Sequence, residues 1–587
     1  MKNTSLFWIV AFILINACSI EQIIPDDDIL NDSSNENLGD EDNLDDIAYT
    51  PCDFDFNTVE INDTLNIKCS HDLKGEDIII PSSVVINYYS GGEITNGTLI
   101  FNEQGQIDGR LLNYDLEVEG DAKLLNTTFQ FNKDNWQITE GRVTDEVAIF
   151  NKKSIQKAID DSKRLGANTF NIGKLDAYFN VTYDYYRKAA ITLHNNFTLQ
   201  MNDDTNIRVQ PNGKPRYVLF QIREVVNVKI LGGNFYGDRD EHDYSSTNKL
   251  DGAYTWEDTH EGGNLVGITA SQDILVEGSV LEYSTGDGLT VGCLGTYTSI
   301  GNGMTYTQSS DITISNCTFD SNRRNGISPG DGVRVTIDSN KFLNSGVDTE
   351  NSKGIAPRCA IDVESWWGLD DNKNLIRYHT TQDFVISNNI ERGGANISFT
   401  VAIGENVTIE NNDVQQRMGF NTGRNITIRN NKVASQIFIG NGAYRTYHEN
   451  NEVYGNTIQS DTIGGIGIFF QAFNAKVYNN KIIGKTTAMA IRNCGNSEIY
   501  DNHIELPKDR YVTYGIYAYG AVANNLKVYN NKIFNCAYMP ISFSGINNIE
   551  GGEDKYVLIS DNFLDGIQMS KKEVERHIYN SKGIIVN

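Results

Sequence analysis

The sequence predicts an all-β protein built as a single-stranded parallel solenoid, and three observations carry that reading. A short unit recurs as ITISNCTF (312–319), VTIDSNKF (335–342), FVISNNI (384–390), VTIENNDV (407–414) and ITIRNNKV (426–433). It continues as AKVYNNKI (475–482), SEIYDNHI (497–504), LKVYNNKI (526–533) and VLISDNFL (557–564), and recurrence on this scale marks stacked repeats. Within each unit β-branched residues alternate with polar ones at period two, whereas a helical solenoid needs a 3.6-residue period and strong helix formers. An Asn column marks one point of every unit: Asn316, Asn340, Asn389, Asn412, Asn431, Asn480, Asn502, Asn531 and Asn562. Its spacings run from 19 to 31, with gaps of 49 that read as two units.

Asn suits that point for two physical reasons. It tolerates the left-handed backbone that a sharp corner between strands requires, and stacked amides can hydrogen-bond from one coil to the next. With its Asn column and its short strands ending near Gly (GIS, IFIG, GIGIFF), the stretch of about residues 190–565 resembles the right-handed parallel β-helix of the pectate-lyase superfamily. The spaced Leu pattern of a leucine-rich repeat is absent from the sequence.

From the N-terminus, Lys2 precedes an apolar run, Leu6 to Ile15, too short to span a bilayer but suited to a signal-peptide core. The run Ile15-Asn16-Ala17-Cys18 resembles a bacterial lipobox, which implies removal of residues 1–17 and a membrane lipid anchor on Cys18. Residues 18–50 read as a disordered acidic tether, because 21–46 hold eleven Asp or Glu and no Lys or Arg. The block also resembles the export signal of Bacteroidetes-type surface lipoproteins, which implies an outer-membrane protein exposed at the cell surface.

Residues 51–148 read as a small N-terminal β module, with alternation and Gly turns over 78–112, and 149–587 as the β-helix domain. In SIQKAIDDSKRLGANTFNIG (154–173) an amphipathic helix ends at Gly166 and a strand follows. It resembles the helix that caps the first coil in this superfamily, where an open strand edge needs cover. ITLHNNFTLQMNDDTNIRV (191–209) reads as the first full coil and SKKEVERHIYN (570–580) as a short closing helix. Seven Cys remain after Cys18, none at zinc-site spacing; Cys52 and Cys69 can pair in an oxidising compartment, and the rest read as small buried hydrophobes.

Composition narrows the function. With 49 Lys+Arg against 77 Asp+Glu the formal charge is −28, which excludes a nucleic-acid partner because phosphate neutralisation needs surplus cations. The 29 Tyr and 25 Phe exclude a wholly disordered chain. Function is expected where the period breaks, in the insertions 236–266, 291–310 and 344–380 of neighbouring coils.

ILVEGSVLEYSTGDGLTV (274–291) matches ITISNCTFDSNRRNGISP (312–329) without a gap at an offset of 38, which sets Asp287 over Asn325 and Thr290 over Ser328. Setting Ile361 of CAIDVES (359–365) over Ile327 puts Asp362 over Ser328. Coils about 4.8 Å apart then gather Asp287, Arg323, Arg324 and Asp362 into one patch. Ile361 and Val363 should point inwards, leaving Asp362 and Glu364 on the outer face roughly 6.5–7 Å apart. That brackets the carboxylate separations of glycoside hydrolysis, about 5–5.5 Å for retention and 6.5–9.5 Å for inversion. One acid would stay protonated beside its like-charged neighbour and the other would serve as base or nucleophile; the same alternation is also common on solvent faces.

Trp366 and Trp367 are candidates to hold sugar rings. Arg323 and Arg324 can bind sugar carboxylates or sulfates, or neutralise Asp287 and Asp362. The loop 237–264 adds Asp238, Arg239 and His260, together with Asp240, His242 and Trp256 as substrate contacts. With VKILGGNFYG (228–237), GDGL, NRRNGIS and AIDVES, residues of about 150–370 resemble the phage-tailspike-like group of the same superfamily. That resemblance implies a carbohydrate partner and spans lyases, hydrolases, epimerases and binding spikes.

The expected function is cleavage of a polysaccharide, an acidic one, by the carboxylate pair. One alternative is β-elimination, with Ca²⁺ held by Asp287, Asp331, Asp362 and Glu364 and Arg324 or His242 as base. The other is a glycan-binding surface protein without catalysis.

Overall fold

Alternating β-branched and polar residues give each repeat an extended strand with one apolar face, and so short a strand buries that face only against copies of itself. The computed structural model describes residues 47–587 apart from 246–258, 297–305, 373–374, 442–446, 460–463, 520–522 and 547–555. The signal segment, Cys18, nearly all of the tether and Trp256 lie outside the described residues.

From Tyr49 to Asn587 the chain forms one packed unit, dominated by a right-handed parallel β-helix. Each coil contributes three strands. The first brings Ile312, Val335, Phe384, Val407 and Ile426 into one buried column. The second, past the Asn corner, stacks Phe319 on Phe342 with ring centroids 5.1 Å apart. The third, such as Leu289–Gly292, Ile327–Pro329 and Cys359–Glu364, returns the chain to the first sheet.

At the corners the two residues of each Asn-Asn pair divide the work. The first takes the left-handed conformation: Asn388, Asn411, Asn430, Asn479 and Asn530 have φ of 53–57°. The second turns inwards and is buried. Asn340, Asn389, Asn412, Asn431, Asn456, Asn480, Asn502, Asn531 and Asn562 form an unbroken column in which each Nδ2 donates to the next Oδ1 at 2.9–3.1 Å. Each of those oxygens also accepts the backbone N–H of the preceding Asn.

Two details of the Asn column are corrected. Asn316 is the left-handed residue (φ 55°) and Cys317 fills the inward slot, its N–H donating to Asn340 Oδ1 at 2.9 Å. One 49-residue gap hides Asn456, whose partner at the corner is Gly455; the other, Asn340 to Asn389, is a single coil swollen by the insertion 344–380.

The N-terminal module is itself a parallel coil: Thr64 pairs with Val85 and Val85 with Gln106. A Cys52–Cys69 disulfide ties its start. It stacks on the main solenoid, since Thr128–Phe131 pairs with Thr169–Ile172, which pairs with Phe197–Met201. That strand edge is therefore continued rather than closed by a helix. The helix, Asp145–Arg164, begins earlier than Ser154 because Thr144 caps it and Asp145 and Glu146 favour its first turn; it packs on Leu175–Phe179 and Ile191–Thr192. At the far end Ser570 and Glu573 form a capping box on the helix Lys571–Glu575. Strands Ile578–Tyr579 and Ile584–Val586 follow it and add one more layer.

Asn431→Ala would leave the Asn412 amide and N–H and the Ile409 carbonyl without their partner, at about 1–3 kcal/mol for each buried orphan. It should lower the unfolding free energy, read by urea denaturation, by about 3 kcal/mol or more. Asn430→Gly, at a left-handed and exposed position, should cost about 1 kcal/mol or less.

Candidate functional site

The offset of 38 describes the coils: Thr290 pairs with Ser328 and Ile327 with Ile361, so Asp362 sits one coil on from Ser328. Ile361 and Val363 lie in the core, and alternation turns Asp362 and Glu364 outwards. Only Glu364 is exposed; Asp362 keeps 3% of its surface. Pairing with the next strand slips between Val363 and Glu364, and the two carboxyls come within hydrogen-bonding reach of each other rather than keeping strand spacing. Burial first, and the Glu364 charge second, push the Asp362 carboxyl up to about 8, with Arg324 opposing them.

Arg324 organises the patch. Its Nη1 donates to Asp287 Oδ2 at 2.9 Å, and Asp287 Oδ1 accepts the Asn325 N–H at 3.1 Å. Burial works against the guanidinium charge, but Asp287, Glu261, Asp362 and Glu364 together hold its pKa above the ordinary value. Burial raises the Asp287 carboxyl, and Arg324 only partly offsets it. Glu261 belongs to this charge group and was not singled out in the sequence. Reading the register one coil further back, where Val266 pairs with Leu289, brings it in.

Arg323 does not face this patch. It is buried, its Nε donates to the Lys353 carbonyl at 2.9 Å and its Nη1 to the Thr259 carbonyl at 2.8 Å, and it lies over the Tyr244 ring. The pair sits on the bend between Thr318–Asp320 and Ile327–Pro329, and one arginine of it turns inwards. His242 is also buried: its Nδ1 lies 2.8 Å from Asp238 Oδ2 and its Nε2 2.9 Å from His260 Nδ1. Tyr217 donates to the other oxygen of Asp238 at 2.8 Å, and burial, then His242, lower His260 to about 4. All three of Asp238, His242 and His260 are buried, and both ring nitrogens of His242 are engaged within the group.

Arg239, fully buried, donates to the Ser321 carbonyl at 2.5 Å and to that of Val347. Thr349 Oγ1 donates to Asp240 Oδ1 at 2.6 Å. The first and third insertions are therefore pinned together, and Asp240 serves that contact.

Trp366 is the open aromatic, 56% exposed, with Tyr378 against it at 4.5 Å and His379 at 5.6 Å. Trp367 opens a two-stranded hairpin, Trp367–Leu369 with Leu375–Arg377, and is half-buried. The four-carboxylate calcium site is not formed. Among the described residues, no three of Asp287, Asp331, Asp362 and Glu364 bring oxygens within 4.8 Å of one another, and Asp331 lies with Cys293 and His379 instead.

A carboxyl held protonated by burial stabilises the fold fully below its unfolded value, about 3.9, and that contribution is lost as pH rises towards its folded value, about 8. Asp362→Asn should therefore match the wild type near pH 4 and become increasingly the more stable of the two up to pH 8. Denaturation midpoints across that range measure the gap, and parallel curves would contradict it.

Residues 418–564 match the family described as "Right handed beta helix region". Two relatives from Bacillus subtilis (strain 168) align with part of the chain. The uncharacterized protein YclG is 28% identical over 227 residues, 39% of this chain and 35% of YclG. The SPbeta prophage-derived uncharacterized protein YorA is 27% identical over 223 residues, 38% and 35%. The chain thus spans about a third of the length of these curated relatives. Among solved structures, the A-module of the mannuronan C-5 epimerase AlgE6 of Azotobacter vinelandii is 12% identical, covering 78% of this chain and 99% of that one with a TM-score of 0.38. The Streptococcus pneumoniae surface adhesin PfbA is 13% identical, covering 71% and 92% at 0.42. A tailspike protein of E. coli bacteriophage HK620, in complex with a hexasaccharide, is 14% identical, covering 79% and 80% at 0.42. The coil described above and the family match over its C-terminal part agree: the chain is a right-handed parallel β-helix protein.

Proposed function

We propose that this protein cleaves a polysaccharide by glycoside hydrolysis, with Asp362 as general acid and Glu364 as base or nucleophile. The observation that supports this most is the contrast within one strand: a buried carboxyl that keeps its proton at neutral pH beside an exposed carboxylate. In this reading the Asp362 proton passes to the glycosidic oxygen as the C–O bond breaks. Glu364 attacks the sugar carbon or takes a proton from the attacking water. The two carboxyls lie close enough to act on each other in the free protein, so in this reading the glycosidic oxygen enters between them and parts them. Trp366 offers a face for a neighbouring ring, and Arg324 limits the charge repulsion within the patch.

Elimination is the weaker reading. Arg324 is held charged by the carboxylates around it and is a poor base, and His242 has both ring nitrogens engaged in the interior. Charge also bears on the substrate. A uronate or sulfate at the cleaved bond would face Glu261, Asp287 and Glu364 with one guanidinium to answer them, so acidic units of the polymer would sit in flanking positions. The lipobox-like Cys18 and the acidic residues behind it support a lipid-anchored protein of the outer membrane, exposed at the surface.

Incubation with a panel of neutral and acidic polysaccharides tests the reaction. New reducing ends without ultraviolet-absorbing unsaturation are expected; unsaturated ends would mean a lyase, and retention without cleavage a binder. Asp362→Asn and Glu364→Gln should each slow turnover about 10²–10⁴-fold, and wild-type activity should fall as pH rises through about 8. Cys18→Ala should move the protein from the membrane fraction to the soluble one, and an unchanged distribution would remove the anchor.

A further inference from the structure

Beside the carboxylate patch, three side chains that hydrolysis does not use meet where neighbouring coils turn. Cys293, Asp331 and His379 each offer one ligand atom, and all three atoms lie within 4.8 Å of one another. Each comes from a different coil. Val291 pairs with Pro329, and continuing that register two residues sets Cys293 against Asp331. Gly332 pairs with Thr381 in the following coil, which brings His379 alongside.

The surroundings are built to hold these groups. Asp331 is fully buried, and its Oδ2 accepts the Tyr306 hydroxyl at 2.5 Å and the Thr380 N–H at 2.9 Å. Its Oδ1 is buried without a hydrogen bond of ordinary geometry, beside the Cys293 thiol, a costly state for a carboxyl oxygen that a cation or a proton relieves. One ring nitrogen of His379 faces the Gly330 carbonyl, and the Trp366 ring packs against the imidazole at 5.6 Å. A ligating histidine is usually held in this way, its second nitrogen fixed by a carbonyl so that the first points at the metal.

A cysteine–histidine nucleophile fits these residues less well. Such a thiol needs a histidine partner to take its proton, whereas Cys293 Sγ donates to the Gly295 carbonyl at 3.5 Å and shares its cluster with the Asp331 carboxyl as well as His379. Calcium fits poorly too, since it selects oxygen ligands over thiolate and imidazole.

We propose that Cys293, Asp331 and His379 bind a zinc-class divalent ion, with the fourth position left for water. Ligands about 2.0–2.3 Å from a tetrahedral zinc stand roughly 3.3–3.7 Å apart, so atoms within 4.8 Å of one another need close by no more than about 1.5 Å. Binding breaks the Cys293 S–H bond, releases that proton to solvent and forms a metal–sulfur bond with the thiolate, while neutral His379 and ionised Asp331 complete the set. The ion would fix the corner on which Trp366 stands. This holds whether or not Asp362 and Glu364 cleave sugars.

The test uses purified, reduced full chain with Zn²⁺ or Co²⁺. One zinc per chain should survive dialysis against micromolar Zn²⁺, and Co²⁺ should give a thiolate-to-cobalt charge-transfer band. Cys293→Ser should abolish the band, and Cys293→Ser and His379→Gln should each weaken zinc retention about 100-fold or more, with Cys536→Ser, a half-buried thiol elsewhere, leaving both unchanged. Should either variant fold poorly, alkylation of the wild type read by mass spectrometry replaces it: Zn²⁺ should shield Cys293 and leave Cys536 as it was. Loss of all zinc on dialysis, retention unaffected by Cys293→Ser and His379→Gln, or unchanged alkylation of Cys293 would each overturn the proposal.

Discussion

A buried asparagine amide has four hydrogen-bonding sites to satisfy, and here it does so by passing its bonds to the same residue one coil further on. From Asn389 to Asn562 every oxygen in the column takes two donors from the coil before it, at 2.9–3.2 Å. A coil that slipped by one residue would lose these bonds and also turn its apolar face outwards. Register along the solenoid is thereby fixed from coil to coil. That fixed register lets residues 38 positions apart in the chain act as neighbours, as Thr290 and Ser328 do.

The same constraint builds the patch and decides its charge. Asp362 is outward by the parity of its strand, yet it is buried, with Arg324 and Glu364 near enough to act on its charge. A surface address and a buried environment therefore coexist at one residue, and burial raises the pKa of its carboxyl. Arg324 acts as the common counter-ion for Asp287, Glu261, Asp362 and Glu364; without its charge the four acids would be held close together with nothing between them.

Periodicity made the coil legible, because burial repeats whenever the strand does: the Ile312 to Ile426 column can be read by alignment alone. The Asn corner was half legible. Chain position separates Asn430 from Asn431 by a single residue, but their backbones differ in hand and their side chains in burial, and a motif of two identical letters does not distinguish the roles. In the patch, offset alignment located Asp287 and Asp362 but could not say which arginine of Arg323-Arg324 turns inwards. That choice is made by the carbonyls of Lys353 and Thr259, contributed by distant insertions. His242 misled for a related reason: a loop histidine is solvated unless something covers it, and its neighbours Asp238 and His260 close over it.

The asparagine column also has a direction. Every amide donates towards the C-terminal coil, so the sequence of bonds opens on the Cys317 N–H and ends at Asn562, whose Nδ2 finds only the backbone carbonyls of Val528 and Ser560. Each interior coil thus presents the same acceptor behind and the same donor ahead, in the manner of an interchangeable link. Duplication or loss of one such link downstream of the carboxylate patch would leave both of its junctions chemically identical. Gene-level drift can then add or remove whole coils while the carboxylate patch stays where it is.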